Sequence, residues 1–145
     1  MTQAVAEAEE AFSKGEVPVG AVLAGPDGHI LARAHNQPIA RNDPTAHAEI
    51  LALRSAGAAC GNYRLNGCTL VVTIEPCLMC MGAAIHARIA RLIFGAADPK
   101  TGAAGSLYHL GKDERLNHRV EVISGIMEDA CQTLMKKFFR SRRET

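Results

Sequence analysis

Tryptophan is absent from this 145-residue chain, and aromatics make up only 4% of it. With Ala, Val, Ile and Leu plentiful instead, the composition favours helices packed on a sheet over an all-β fold. No apolar stretch approaches the roughly 20 residues that a bilayer requires, so a membrane span is not expected. Met1 to Glu10 lack a basic segment followed by an apolar one and do not read as a signal peptide. The expected compartment is the cytoplasm, where thiols stay reduced. Charge of neither sign dominates: 16 Lys and Arg against 15 Asp and Glu leave +1, too little for bulk electrostatics to announce a nucleic-acid partner. Repeats, low-complexity tracts and internal linkers are also missing, and the length suits one domain spanning residues 1–145.

What is present is an alternation of helical and strand patterns. Val5, Ala8, Ala11 and Phe12 recur at helical spacing, which predicts a helix over Thr2 to Lys14 that ends at Gly15. Val19 to Ala24 and His29 to His35 read as a hairpin around the turn Gly25-Pro26-Asp27-Gly28. Asn36 to Thr45 reads as a loop, because Pro38 and Pro44 disfavour regular helix. A second helix is expected from Thr45 or Ala46 to about Ser55, with Ile50, Leu51 and Leu53 facing the core and Gly57 and Gly61 closing it. Cys68 to Ile74 is a buried strand and Cys77 to Ala87 a third helix, with Pro76 at its very start. Arg91 to Gly95 and, more briefly, Arg119 to Ser124 complete the strands, around a long Gly-rich loop from Ala96 to Lys112. Met127 to about Arg143 is a terminal helix. The expected fold is α/β, with helices on both faces of one sheet of about five strands.

Two motifs carry chemistry. His47-Ala48-Glu49 opens the second helix, and Pro76-Cys77-Leu78-Met79-Cys80 opens the third. Cys77 and Cys80, at i and i+3, share a helix face, and the N–H groups of a helix start favour thiolates. His47 completes a Cys₂His set suited to Zn²⁺. Three protein ligands leave a fourth position for water, whose pKa the ion lowers to about 7. Glu49, two residues from His47, is placed to move protons rather than to ligate. His-x-Glu followed by Pro-Cys-x-x-Cys is the signature of zinc deaminases acting on nucleobases.

Other readings exist for the same residues. A redox Cys-x-x-Cys pair would leave His47 and Glu49 idle. A closed structural zinc site would recruit Cys60 or Cys68, which otherwise read, with Cys131, as small core or loop residues. Lys136, Lys137, Arg140, Arg142 and Arg143 crowd the last ten residues, either as a solvated helix end whose cations suit the dipole or as an RNA contact.

Beyond the metal motifs the chain resembles the bacterial tRNA-specific adenosine deaminases, which convert the wobble adenosine of an anticodon to inosine. The resemblance runs over nearly the whole chain. It includes Val17-Pro18-Val19-Gly20-Ala21-Val22, Asp43 through Ile50, Asn62-Tyr63-Arg64-Leu65 and Glu75 through Ala83. Three further segments single out the tRNA enzymes: Lys100 through Ser106, Asn117-His118-Arg119-Val120-Glu121, and Phe138-Phe139-Arg140-Ser141-Arg142-Arg143. The resemblance implies a three-layer α/β/α cytidine-deaminase-like fold with a central mixed sheet and one zinc ion per subunit. It also implies tRNA, through its anticodon stem-loop, as partner, and a homodimer, for which the third helix around Met79 and Met81 is the candidate face. It implies that Asn36 hydrogen-bonds the purine edge, that Val19 and Pro76 line the slot for the flipped base, and that Asp98 and Lys100 face the RNA backbone or ribose near the pocket. Asn36 also reads as a turn residue before Pro38, Val19 as strand core and Asp98-Pro99 as a turn. Phe139, Arg140, Arg142 and Arg143 become RNA-contacting candidates. His35 stands where some relatives place an aromatic, so no stacking contact is expected there. A deaminase of free guanine or cytosine, or of nucleosides, on the same zinc core is the enzymatic alternative. An RNA-binding module with a structural zinc is the non-catalytic one.

Overall fold

The computed structural model describes residues 1–145. Five helices, α1 (Thr2–Ser13), α2 (Pro38–Arg41), α3 (Ala48–Cys60), α4 (Leu78–His86) and α5 (Glu128–Arg143), surround five strands. The strands are β1 (Gly20–Ala24), β2 (Ile30–His35), β3 (Thr69–Ile74), β4 (Arg91–Ala96) and β5 (Glu121–Ile123), ordered β2-β1-β3-β4-β5 in one mixed sheet. β1 is antiparallel to both β2 and β3, while β3, β4 and β5 run parallel. Central strand β3 buries Leu70 and Val72 completely, as its β-branched and aliphatic run requires of a strand covered on both faces.

Helices α1 and α3 both cover β1 and β2 yet do not touch each other, so they lie on opposite faces. Helix α5 joins α1 on one face, and α4 joins α3 on the other. The approach of α1 to the sheet depends on Gly20, where a Cβ would overlap the Ala4 carbonyl and the helix backbone. A core of 28 residues links both layers through Leu23, Leu70, Met81 and Leu92.

Three local expectations are corrected. Pro38 starts a short helix rather than preventing one: it sits in the first turn, where its missing N–H is no loss, and Asn42 ends the helix in the left-handed region at φ 48°. Helix α3 runs through Gly57 to Cys60 and stops at left-handed Gly61. A helical glycine costs about 1 kcal/mol relative to alanine and does not by itself terminate a helix. Helices α3 and α4 begin at Ala48 and Leu78, later than expected, because His47 and Cys77 are extended N-cap residues. Pro76 therefore precedes the cap and is not the first helical residue.

The topology gathers one edge of the sheet. The register Gly20↔His35 and the Gly20 N–H bond to Thr73 Oγ (3.2 Å) put the start of β1 beside the ends of β2 and β3. Parallel pairing of Ile74 with Ala96 brings the end of β4 there too. Val19, Asn36, Cys77 and Asp98 thus leave the sheet on the same side, where an open α/β sheet presents its ligand crevice.

Candidate active site

His47 and Cys77 are both helix N-caps, and neither side chain caps its own helix, so both are free to converge. His47 Nδ1 lies 3.6 Å from Cys77 Sγ and 3.4 Å from Cys80 Sγ, and all three donor atoms fall within 4.8 Å of one another. The donor set, one imidazole and two sulfurs, fits a zinc ion. Neither Cys60, exposed at the end of α3, nor Cys68, buried before β3, joins the group, so no fourth side chain closes it. The Cys77 thiol is pulled down to about 4, first by the hydrogen bond from Cys80 and then by His47. That bond and burial together push Cys80 up. Its contact with Cys77 raises His47.

Glu49 is outside this ligand group. It is 3% exposed, and its Oε1 has no hydrogen-bond partner at all. Burial raises its pKa, which suits a group that must both take and give a proton. A cavity of about 250 Å³ opens beside it, lined by Val17, Val19, Asn36, Pro38, His47, Glu49, Ile74, Glu75, Cys77 and Thr101. Asn36 is buried, and its Oδ1 accepts the Ala48 N–H at 2.8 Å. That bond leaves its NH₂ group for another partner. The cavity wall on the other side is apolar, from Val17, Val19 and Ile74.

Residues 1–96 match the cytidine and deoxycytidylate deaminase zinc-binding region. Across 144 residues the chain is 49% identical to a tRNA-specific adenosine deaminase of Haemophilus influenzae, covering 99% of this chain and 83% of that protein. A tRNA-specific adenosine deaminase of Bacillus subtilis is 47% identical, with 99% and 89% covered. A solved structure from work on A-to-I editing by tRNA:A34 deaminases superposes with a TM-score of 0.89 at 44% identity, over 92% of this chain and 96% of that one. The chain belongs to the tRNA-specific adenosine deaminase family.

Other residues singled out in the deaminase lie differently. Pro76 is fully buried and does not line the cavity; its carbonyl accepts the Ala103 N–H at 2.8 Å. The Asp98 carboxylate braces its own loop, accepting the Lys100 and Thr101 N–H groups at 3.0 and 3.2 Å and the Thr101 hydroxyl at 2.7 Å. Lys100 is exposed beside Thr101, which reaches the cavity. At the C-terminus Phe138 is buried edge-on against Phe12, while Phe139 is 44% exposed. Arg142 lies over the Phe138 ring and donates to the Gly15 carbonyl, so it anchors α5 to the end of α1. Arg140 and Arg143 stand free in solvent. Of the two methionines, Met81 is core and Met79 half-buried, and Leu78 is the exposed apolar residue of α4. His35 is buried with Nδ1 3.0 Å from Glu7 Oε2.

Two buried carboxylates were not among the residues expected from the sequence. Glu16 Oε1 and Oε2 accept the Ile39 and Ala40 N–H groups at 3.1 and 2.9 Å, capping α2 and so setting the Pro38 wall of the cavity. Glu75 does the same for the loop beyond β4. Each is an isolated Glu beside an apolar run, which was the available signal: burial there demands several donors.

Proposed function

We propose that this chain hydrolyses the exocyclic amine of the wobble adenosine in a tRNA anticodon, giving inosine and ammonia. The observation that carries the reading is Glu49, a buried carboxyl with an unpartnered oxygen that lines the same cavity as His47 and Cys77 of the His–Cys–Cys donor set. At about 250 Å³ that cavity is smaller than the roughly 300–1,000 Å³ of a drug-sized site, which suits one extruded base.

His47, Cys77 and Cys80 would hold zinc, one ion per subunit. When bound, the ion would supply Lewis acidity and lower the pKa of the attacking water toward about 7. Glu49 accepts a proton from the attacking water as its oxygen bonds to C6 of adenine, and delivers it to ring N1. The hydroxyl now on C6 gives its proton through Glu49 to the amine, the C6–N bond breaks as the C6 carbonyl forms, and ammonia leaves. The NH₂ of Asn36 donates to an acceptor on the purine edge, and Val19 with Val17 and Ile74 receives the face of the ring. Lys100 neutralises phosphate near the mouth, with Asp98 acting on the same loop from within. Phe139, Arg140 and Arg143 at the end of α5 meet the anticodon stem-loop, and the Gly15 anchor of Arg142 brings that end next to the segment carrying Val17 and Val19.

Residues 1–145 serve as one catalytic domain, in the cytoplasm, where thiols such as Cys77 and Cys80 stay reduced. Two copies pair across the apolar groove between α3 and α4, where Leu53, Ala58, Tyr63, Ala83 and Ala87 are grouped. No helix is long and apolar enough to cross a membrane.

Incubation with an anticodon stem-loop RNA, and separately with guanine, cytosine and adenosine, tests the reading. Inosine in the RNA is the expected product. Conversion of a free base or nucleoside with none in the RNA would overturn it.

A further inference from the structure

The segment from Asp98 to Ser106 contains no helix or regular strand, yet it delivers Thr101 to the cavity with Lys100 beside it. Its shape is set largely by one side chain. Glu75 Oε1 accepts the Asp98 N–H at 3.0 Å and the Ser106 hydroxyl at 2.5 Å. Glu75 Oε2 accepts the Ala104 and Ser106 N–H groups at 3.0 and 2.9 Å. Both ends of the loop therefore terminate on one carboxylate that is 4% exposed. Four donors satisfy the lone pairs of a group whose burial would otherwise be costly.

Glu75 itself lines the cavity, and its constraint reaches Lys100 and Thr101 in two steps. Glu75 holds the Asp98 backbone, and the Asp98 carboxylate holds Lys100 and Thr101 by their N–H groups and Thr101 also by its hydroxyl. Gly102 closes over the carboxylate so tightly that a Cβ there would overlap Glu75. The Ala103 N–H bond to the Pro76 carbonyl adds a backbone tie. Glu75 also follows Ile74, which lines the cavity, and stands two residues before Cys77. The loop is thus referenced to the metal ligands through a very short covalent path.

We propose that Glu75 is a positioning residue for the RNA substrate: it holds the Asp98–Ser106 loop in register with the metal site so that Thr101 and Lys100 meet the RNA at the cavity. The proposal rests on the reading that this cavity takes a base from an RNA. Glu75 acts through the loop, so its effect falls on substrate engagement. Glu75→Gln keeps the size but turns one acceptor oxygen into an NH₂ that cannot accept, so either the Asp98 N–H or the Ala104 and Ser106 N–H groups lose their partner. Ser106→Ala removes the hydroxyl donor alone.

Wild type, Glu75→Gln and Ser106→Ala are compared for kcat and KM on an anticodon stem-loop RNA, for zinc content, and for amide hydrogen exchange. In Glu75→Gln, KM is expected to rise by about 10- to 10²-fold, the scale of a small misplacement, with a lesser change in kcat. Zinc stays stoichiometric, and exchange protection is lost at Asp98 or at Ala104 and Ser106 while β3 and β4 keep theirs. Ser106→Ala shifts both readouts in the same direction by less. A fall in kcat at unchanged KM, loss of zinc, or unaltered exchange at the three amides overturns the proposal. Should Glu75→Gln not fold, unchanged KM and exchange in Ser106→Ala overturn it equally. Exchange needs no substrate, so a wild type inactive on RNA would sink the functional reading while the loop's dependence on Glu75 was still measured.

Discussion

Asn36 Oδ1 and the Ala48 N–H meet at 2.8 Å, tying the end of β2 to the first turn of α3 between His47 and Glu49. One amide therefore fixes the helix that carries two functional groups and still has its NH₂ to offer a base. Asn36→Ala should orphan a buried N–H and cost about 1–3 kcal/mol in urea unfolding. Asn36→Asp keeps the acceptor, and the helix start offsets part of the cost of its buried charge, so its loss of stability should be smaller than that of Asn36→Ala. RNA deamination should collapse in both variants. Full turnover by the Asp variant would rule out the donor role.

Glu49→Ala should lower kcat on RNA by about 10²–10⁴-fold or more, the range of a general acid–base group, while zinc binding and fold persist. The unpartnered Oε1 makes no hydrogen bond whose loss could unfold the chain. Unchanged turnover would favour the non-catalytic module with a structural metal.

Chelation should abolish activity, and added Zn²⁺ should restore it. Once the metal is removed, a thiol reagent at neutral pH should label half-buried Cys77 before buried Cys80, because Cys77 is pulled down to about 4, first by the Cys80 hydrogen bond. Peptide mapping of the alkylated protein reads the order. Labelling of Cys80 first would contradict the electrostatics of the pair.

Glu16→Ala should free the Ile39 and Ala40 N–H groups and loosen α2, at about 1–3 kcal/mol by denaturant midpoint. KM should rise as the Pro38 wall shifts. A variant with wild-type stability would mean that water replaces the carboxylate at the helix start.

The cations of α5 should separate by role. Arg140→Ala and Arg143→Ala should each flatten the plot of log affinity for stem-loop RNA against log salt, by roughly 0.7–0.9 for every phosphate no longer neutralised. Arg142→Ala should instead lower thermal stability, since that guanidinium covers Phe138 and caps Gly15. An unaltered salt slope in the first two would remove the tail from the RNA interface.

By itself, the sequence determined the elements and the His–Cys–Cys donor group. A β-branched run and a 3.6-residue period are local signals, so the strand Thr69–Ile74 and helix α1 are legible to within a few residues, and His-x-Glu with Pro-Cys-x-x-Cys names candidate donors by chemistry alone. Helices α3 and α4 start two or three residues and one residue beyond the expected positions, because their N-caps His47 and Cys77 are extended, and composition does not register that. Tertiary structure alone decided what each polar group near the cavity does. Asp98 turned inward, Pro76 sank beneath the loop, Arg142 became an anchor, and Glu16 and Glu75 became the struts of two walls. The Asp98 carboxylate meets donors only two and three residues on, but the other roles depend on partners from chain segments more than 20 residues apart, as the Asp98 N–H and Glu75 are at a separation of 23. A buried carboxylate is satisfied only by partners that the fold supplies.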